Sequence, residues 1–230
     1  MESVALVISP HPDDAEIAMG GTIAALLQQG VRVVVADLTD GEPTPYGSVE
    51  RRQQEAAAAS KILGISERRQ LTLKNREIFD TVENRNIVAA LIREIRPHLL
   101  FGPYGDDVHP DHVQAAALVE SARFYAKFVK SELPHNPWYP QKHLHFFSTH
   151  IKVRYQPSFI FDISPHLDAK MAAISAYESQ FVTHEGNRRR LEEIRTEAAY
   201  WGHQVGVSAG EPFVCRELIK LSTAAALCNL

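Results

Sequence analysis

Apolar positions in this chain fall into short unbroken runs, separated by segments with helical spacing. Val4-Ala5-Leu6-Val7-Ile8 is a continuous run of the kind shown by a strand buried on both faces. Ile17 to Gln29 is rich in Ala, Leu and Ile and ends at Gly30, which predicts a helix with a glycine stop. Val31 to Leu38 predicts a second buried strand, and Ser48 to Leu63 a helix capped by Ser48, with Arg51 in the capping-box position. Gln70–Leu73 is a short strand, Val82–Ile95 a helix stopped at Arg96-Pro97, and Leu99–Gly102 another strand. From Asp111 to about Phe128, Val113, Ala116, Ala117, Val119 and Ala122 recur at helical spacing. Strands alternating with helices through residue 130 predict an α/β fold, a βαβ sheet with helices on both faces.

The later part reads as additions to that sheet. Pro134–Pro140 is irregular, Leu144–Ser148 and Ser158–Ile163 are strands, and Ser164-Pro165 opens a helix, with Ser as N-cap and Pro at N1, that runs to about Phe181. Thr183 to Gly206 is charged, then aromatic, and largely helical, and Phe213-Val214 marks a last strand. With 230 residues, a single domain spanning 1–230 is expected.

Composition narrows the partners. A net charge of -4 gives no reason to expect nucleic acid or an anionic membrane, and Arg51-Arg52, Arg68-Arg69 and Arg188-Arg189-Arg190 read as short solvated clusters. Cys215 and Cys228 have no paired spacing, Met1-Glu2 opens no basic leader, and no apolar run reaches the ~18 residues of a membrane span. A cytoplasmic protein is the expectation.

Chemistry-bearing residues concentrate where two strands hand over to helices. Pro10-His11-Pro12-Asp13-Asp14-Ala15-Glu16 follows the first strand, and Asp106-Asp107-Val108-His109-Pro110-Asp111-His112 follows Leu99–Gly102. Ligands of open α/β sheets bind at the carboxyl ends of strands. If these two strands are neighbours, the two turns meet, and His11, Asp14 and His112 supply the three ligands of an open zinc site. The structural alternative is that Asp13, Asp14 and Asp111 merely cap helices. Finding both turns after apolar strands, each with Pro beside His and Asp, favours the metal.

Other chemistries fit less well. A dinucleotide site needs G-x-G-x-x-G after the first strand, whereas Gly20-Gly21 lies too late. No serine sits in G-x-S-x-G. Asp13 and Asp14 are adjacent and cannot flank a glycosidic bond from opposite faces. Two histidines and a carboxylate also make the facial triad of non-haem iron oxygenases, and a metal-dependent binding protein without catalysis is a further alternative.

The two signatures, together with Gly20-Gly21-Thr22, Thr39-Asp40-Gly41-Glu42, Ala176–Phe181 and Tyr200-Trp201-Gly202, resemble the LmbE-like (PIG-L) zinc-dependent deacetylases, including the bacillithiol-biosynthesis members. The resemblance covers nearly the whole chain. It implies a Rossmann-like three-layer α/β/α fold with a mostly parallel sheet, a core of about 1–165 and a C-terminal helical cap of about 166–230. It also implies Zn2+ held by His11, Asp14 and His112, Asp13 as general base beside the metal-bound water, and His109 acting opposite it on the oxyanion or leaving amine. Asp111 would orient His109, and Arg52 and Asn75 would contact substrate, Asn75 standing where many relatives have Asp. The implied substrate is a small N-acetylated amino sugar, such as an N-acetylglucosaminyl malate, and the implied assembly a homo-oligomer, trimer or hexamer. Some relatives carry a lid-loop tyrosine as oxyanion donor. Thr183–Arg190 contains none, which leaves Tyr104 and Tyr200 as substitutes.

The remaining histidines invite plain readings. His143, His145 and His150 alternate along a strand and are expected at exposed or half-buried positions rather than in a second metal site.

Overall fold

The computed structural model describes residues 3–148, 154–183 and 185–220. Seven strands, β1 (Val4–Ser9), β2 (Arg32–Asp37), β3 (Glu67–Gln70), β4 (Leu99–Pro103), β5 (Lys142–Phe146), β6 (Phe159–Asp162) and β7 (Gly210–Cys215), form one sheet in the order β3-β2-β1-β4-β5-β7-β6. The first five are parallel, and β7 runs antiparallel to both β5 and β6. Seven helices among the described residues complete the layers: α1 (Asp14–Gln28), α2 (Val49–Leu63), α3 (Val82–Ile95), α4 (Pro110–Ala126), α5 (Leu167–Ser175), α6 (Glu178–Phe181) and α7 (Glu185–Gln204). No helix among the described residues is long and apolar enough to cross a membrane.

The unbroken apolar runs are explained by burial on both faces. Ala5, Val7, Val33, Val35 and Phe101 pack into one core with residues of α1, α2 and α5. Their neighbours Leu6, Ile8, Val34, Ala36 and Leu100 pack into the other with α3 and α4. Successive side chains of a strand point to opposite faces, so a strand covered on both sides has no polar side to show. The strand order reverses between β1 and β4, which pair directly with Ala5 opposite Leu99 and Val7 opposite Phe101. The two His/Asp turns therefore leave adjacent strands at the switch point.

Helix α1 begins at Asp14, earlier than its apolar spacing suggests, and kinks at Met19 (φ −146°, ψ 24°). The backbone N–H groups of Gly21 and Thr22, freed by the kink, donate to the Glu211 carboxylate at 3.0 and 2.7 Å, and Lys170 donates to the same carboxylate at 2.6 Å. An added Cβ at Gly21 would stand 2.6 Å from Cβ of Ile163, so the helix can lie this close to the chain beyond β6 only with glycine there.

Glu211 belongs to β7, which sits between β5 and β6. Residues beyond 166 are thus not only a helical cap, because they also supply an interior strand, next to the sheet edge. The expected helix from Ser164 to Phe181 is broken: a 3-10 turn (Ser164–His166) leads into α5, and the chain departs from helix at Tyr177 (φ −81°, ψ 64°). The buried Tyr177 hydroxyl donates to Glu16 at 3.2 Å, and the Ser179 amide and hydroxyl both donate to the buried Glu55 carboxylate at 2.7 Å. Tertiary partners here outweigh helix continuity. Arg68 is likewise not on a solvated face, since its guanidinium bonds Asp37 at 2.6 and 2.9 Å and also bonds Glu16.

Candidate metal centre

The first turn is held from below by the loop after β2. Ser9 Oγ donates to Asp37 at 2.7 Å, and Thr39 Oγ1 donates to the Pro10 carbonyl at 3.0 Å while accepting the Gly41 amide. Asp13, at the N-cap position of α1, has φ 111°, a left-handed backbone that costs a non-glycine residue roughly 1–3 kcal/mol. It makes no capping bond. Instead its carboxylate accepts from Arg52 Nη2 at 3.1 Å, and the same nitrogen donates to the Pro12 carbonyl at 2.6 Å.

Around Asp14 the ligand geometry assembles. Its Oδ2 lies 3.1 Å from His11 Nδ1 and 3.4 Å from His112 Nε2. Zinc–nitrogen bonds of ~2.0–2.1 Å put the corners of a coordination tetrahedron about 3.3–3.4 Å apart, so Asp14 stands at such a spacing from each of the two imidazole nitrogens. Each imidazole has its other nitrogen on a carboxylate: His11 Nε2 on Asp111 at 3.0 Å and His112 Nδ1 on Asp107 at 2.8 Å. That arrangement fixes tautomer and ring direction in metal-ligating histidines. The donor set fits a divalent ion of the zinc class.

Asp111 accordingly orients His11, and its carboxylate also accepts the Arg76 amide at 2.8 Å. It meets His109 through its backbone N–H, which donates to His109 Nδ1 at 3.2 Å. His109, not an aspartate, is the N-cap of α4. Because a backbone N–H can only donate, Nδ1 must carry the lone pair and Nε2 the proton. The His109 ring stacks on His112 with centroids 4.5 Å apart and lies 5.1 Å from that of His11. One ring nitrogen from each of the three histidines falls within 4.8 Å of the others.

Charge follows geometry. Burial disfavours a proton on His11, but hydrogen bonds to Asp111 and Asp14 win and raise it to about 9. His112 is raised to about 10 against burial by the Asp14 charge and the Asp107 hydrogen bond. The two imidazoles hold Asp14 well below the usual carboxylate range despite its burial. Burial pushes Asp13 up to about 7, with Arg52 opposing.

A cleft of about 560 Å³ opens over Asp13 and Asp14, walled by Ile17, Ser148 and, from α6 and α7, Gln180, Phe181 and Arg190. Arg52 lies beneath rather than in this wall: it is 3 % exposed, and its Nε and Nη1 have no hydrogen-bond partner among the described residues. Asn75 lines a neighbouring hollow with Asp40, Glu42 and Glu77, one residue from the Arg76 amide. Tyr104 packs on Phe147 at 5.0 Å and Tyr200 on Trp201 at 4.9 Å, and neither lines the cleft. Two contributors escaped the sequence reading. Asp107 precedes His112 by five residues, within reach of a ring that starts a helix, whereas Ser148 Oγ, 3.4 Å from His112 Nδ1, arrives only through the β4–β5 pairing.

Residues 6–123 match the PIG-L family profile, described as GlcNAc-PI de-N-acetylase. The diacetylchitobiose deacetylase of Thermococcus kodakarensis is 33% identical over 220 residues, covering 87% of this chain and 78% of that protein. A protein of Bacillus anthracis named as a probable N-acetyl-alpha-D-glucosaminyl L-malate deacetylase 2 is 28% identical, covering 85% and 90%. Among solved structures, the conserved protein TT1542 of Thermus thermophilus superposes with a TM-score of 0.89 at 33% identity, covering 97% of this chain and 99% of that one. The chain belongs to the PIG-L family of N-deacetylases.

Proposed function

We propose that the protein is a zinc-dependent hydrolase that removes the acetyl group from an N-acetylglucosamine-type amide, releasing acetate and a free amine. The observation that carries this reading is the approach of His11 Nδ1 and His112 Nε2 to Asp14 Oδ2, at 3.1 and 3.4 Å, beneath a cleft that Asp13 and Asp14 line. Relatives named for diacetylchitobiose and for N-acetylglucosaminyl malate support the amino-sugar class.

Zinc at His11, Asp14 and His112 would supply Lewis acidity, polarising the amide carbonyl and acidifying water. Asp13, poised near neutrality, takes a proton from the attacking water as the carbon–oxygen bond forms. His109 carries its proton on Nε2, the form that donates a hydrogen bond to the developing oxyanion, and the proton that Asp13 took from water passes to the departing nitrogen as the carbon–nitrogen bond breaks. Arg52 holds Asp13 in its strained backbone. Its two unpartnered donors are the part of it left for a substrate hydroxyl or carboxylate, and Asn75 is the candidate contact from the adjoining loop. Assembly as a homo-oligomer and a cytoplasmic location belong to the same reading.

Amine release from a panel of N-acetylglucosamine derivatives, with and without chelator, tests it. Release that chelation abolishes and Zn2+ restores is expected. Release that persists without metal, or none from any member of the panel, overturns it.

A further inference from the structure

Helix α4 carries Glu120, eight residues beyond His112 and so about 12 Å along the axis. His143 and His145 alternate on β5 and share one face. Contrary to the exposed or half-buried positions expected from the sequence, they are only 2% and 1% exposed, while His150 lies outside the described residues. Their ring centroids are 4.2 Å apart, and Glu120 Oε2 of α4 lies 3.0 Å from His143 Nδ1. One ligand atom from each of Glu120, His143 and His145 falls within 4.8 Å of the others.

The hydrogen bonds fix which nitrogens are available. His145 Nδ1 is 3.2 Å from the Pro103 carbonyl, which can only accept, so the proton is on Nδ1 and Nε2 bears a lone pair. His143 Nδ1 and the Glu120 carboxylate share a proton that an ion between them would replace, and the ring's Nε2 points the other way. That Nε2 is buried and has no hydrogen-bond partner among the described residues. It occupies the space left by Gly102, whose added Cβ would approach it to 3.2 Å. An imidazole whose far nitrogen is tied to a backbone carbonyl, as in His145, is a usual form of metal-ligating histidine.

We propose that His143, His145 and Glu120 form a second site for a divalent ion of the zinc class, separate from the catalytic centre, with His143 Nδ1, His145 Nε2 and the Glu120 carboxylate as its ligands. Imidazole and carboxylate donors suit ions of intermediate softness, and Glu120 is exposed, which gives the ion a way in. The protonation states agree. Burial lowers His143, burial and the neighbouring His143 push His145 down to about 4, and the His143 hydrogen bond takes Glu120 down to about 2. Arg123 and Arg216 oppose a cation here, but Arg123 is paired with Glu217 at 2.8 Å. The site is therefore weaker than the catalytic one. An ion here would join β5 to α4, the two elements that bring Ser148 and His112 to the cleft.

Equilibrium dialysis of the full chain against micromolar Zn2+, followed by metal counting, tests the proposal independently of deacetylation. The wild type should hold one ion per chain more than His145→Gln, and Glu120→Gln should weaken that ion ~10-fold or more, both variants retaining amine release. Equal ion counts in wild type and His145→Gln overturn it. Because a buried substitution can impair folding, anomalous scattering at the zinc edge from wild-type crystals supplies a second readout. A peak ~2.0–2.1 Å from a His143 or His145 nitrogen is expected, and no peak there overturns the proposal.

Discussion

Asp107 Oδ2 lies 2.8 Å from Nδ1 of His112, a buried ring whose other nitrogen is turned to Asp14. In the proposed centre this pairing would fix the tautomer that presents Nε2 as a ligand. Removing such a partner typically costs ~10–100-fold in metal affinity or activity. Asp107→Ala should therefore lose metal to a competing chelator ~10–100-fold more readily than wild type, with far-UV circular dichroism unchanged. Asp111→Asn should behave in the same way through His11. Unaltered chelator competition in both variants would contradict the assignment.

Asp13 is the proposed base and not one of the three proposed ligands, so Asp13→Asn should keep its metal while turnover falls by roughly 10²–10⁴. The wild-type rate should also carry an acidic limb. As the proposed base Asp13 would act as a carboxylate, and burial raises it to about 7, so activity should decline as pH falls below that value; a bound dication would draw the limb lower. Metal counting alongside steady-state rates separates loss of the base from loss of the ion.

Zinc uptake should release protons. His11 and His112 are raised to about 9 and about 10, so both rings hold an extra proton at neutral pH, whereas a ligating imidazole must be neutral. Titration calorimetry in buffers of different ionisation heat should report about two protons released per catalytic ion, and affinity should climb with pH until the rings lose those protons unaided. A binding enthalpy independent of buffer would refute this.

Gly21→Ala places a Cβ 2.6 Å from that of Ile163, in the wall that closes over the kinked α1. Overpacking of this kind costs ~1–3 kcal/mol, read as a lower urea midpoint. Glu211→Gln should destabilise too, since it leaves the Lys170 ammonium buried without its carboxylate partner.

Acidification should weaken the fold through His145. Its unfolded ring binds a proton near 6.5, while burial holds the folded ring down to about 4. Between those values the unfolded chain binds more protons, so stability falls as pH drops from 6.5 towards 4. Denaturation midpoints should fall over that window in wild type and less steeply in His145→Gln.

The unbroken apolar runs determined by themselves that β1, β2 and β4 would be buried on both faces, and the polar turns after β1 and β4 marked the site. Local chemistry was enough for this, because strand periodicity and the breakers Pro and Gly act within a few residues. The partner of each aspartate was decided only in three dimensions. Asp111 is two residues from His109 yet serves His11, a hundred positions away, because the β1–β4 pairing brings the two turns together and the strained Asp13 backbone sets the direction of the first. His143 and His145 show the same division. Their alternation on a strand was legible, but whether that face met solvent or α4 depended on how the helix layer closed over the sheet, a long-range packing outcome that neighbouring residues do not encode.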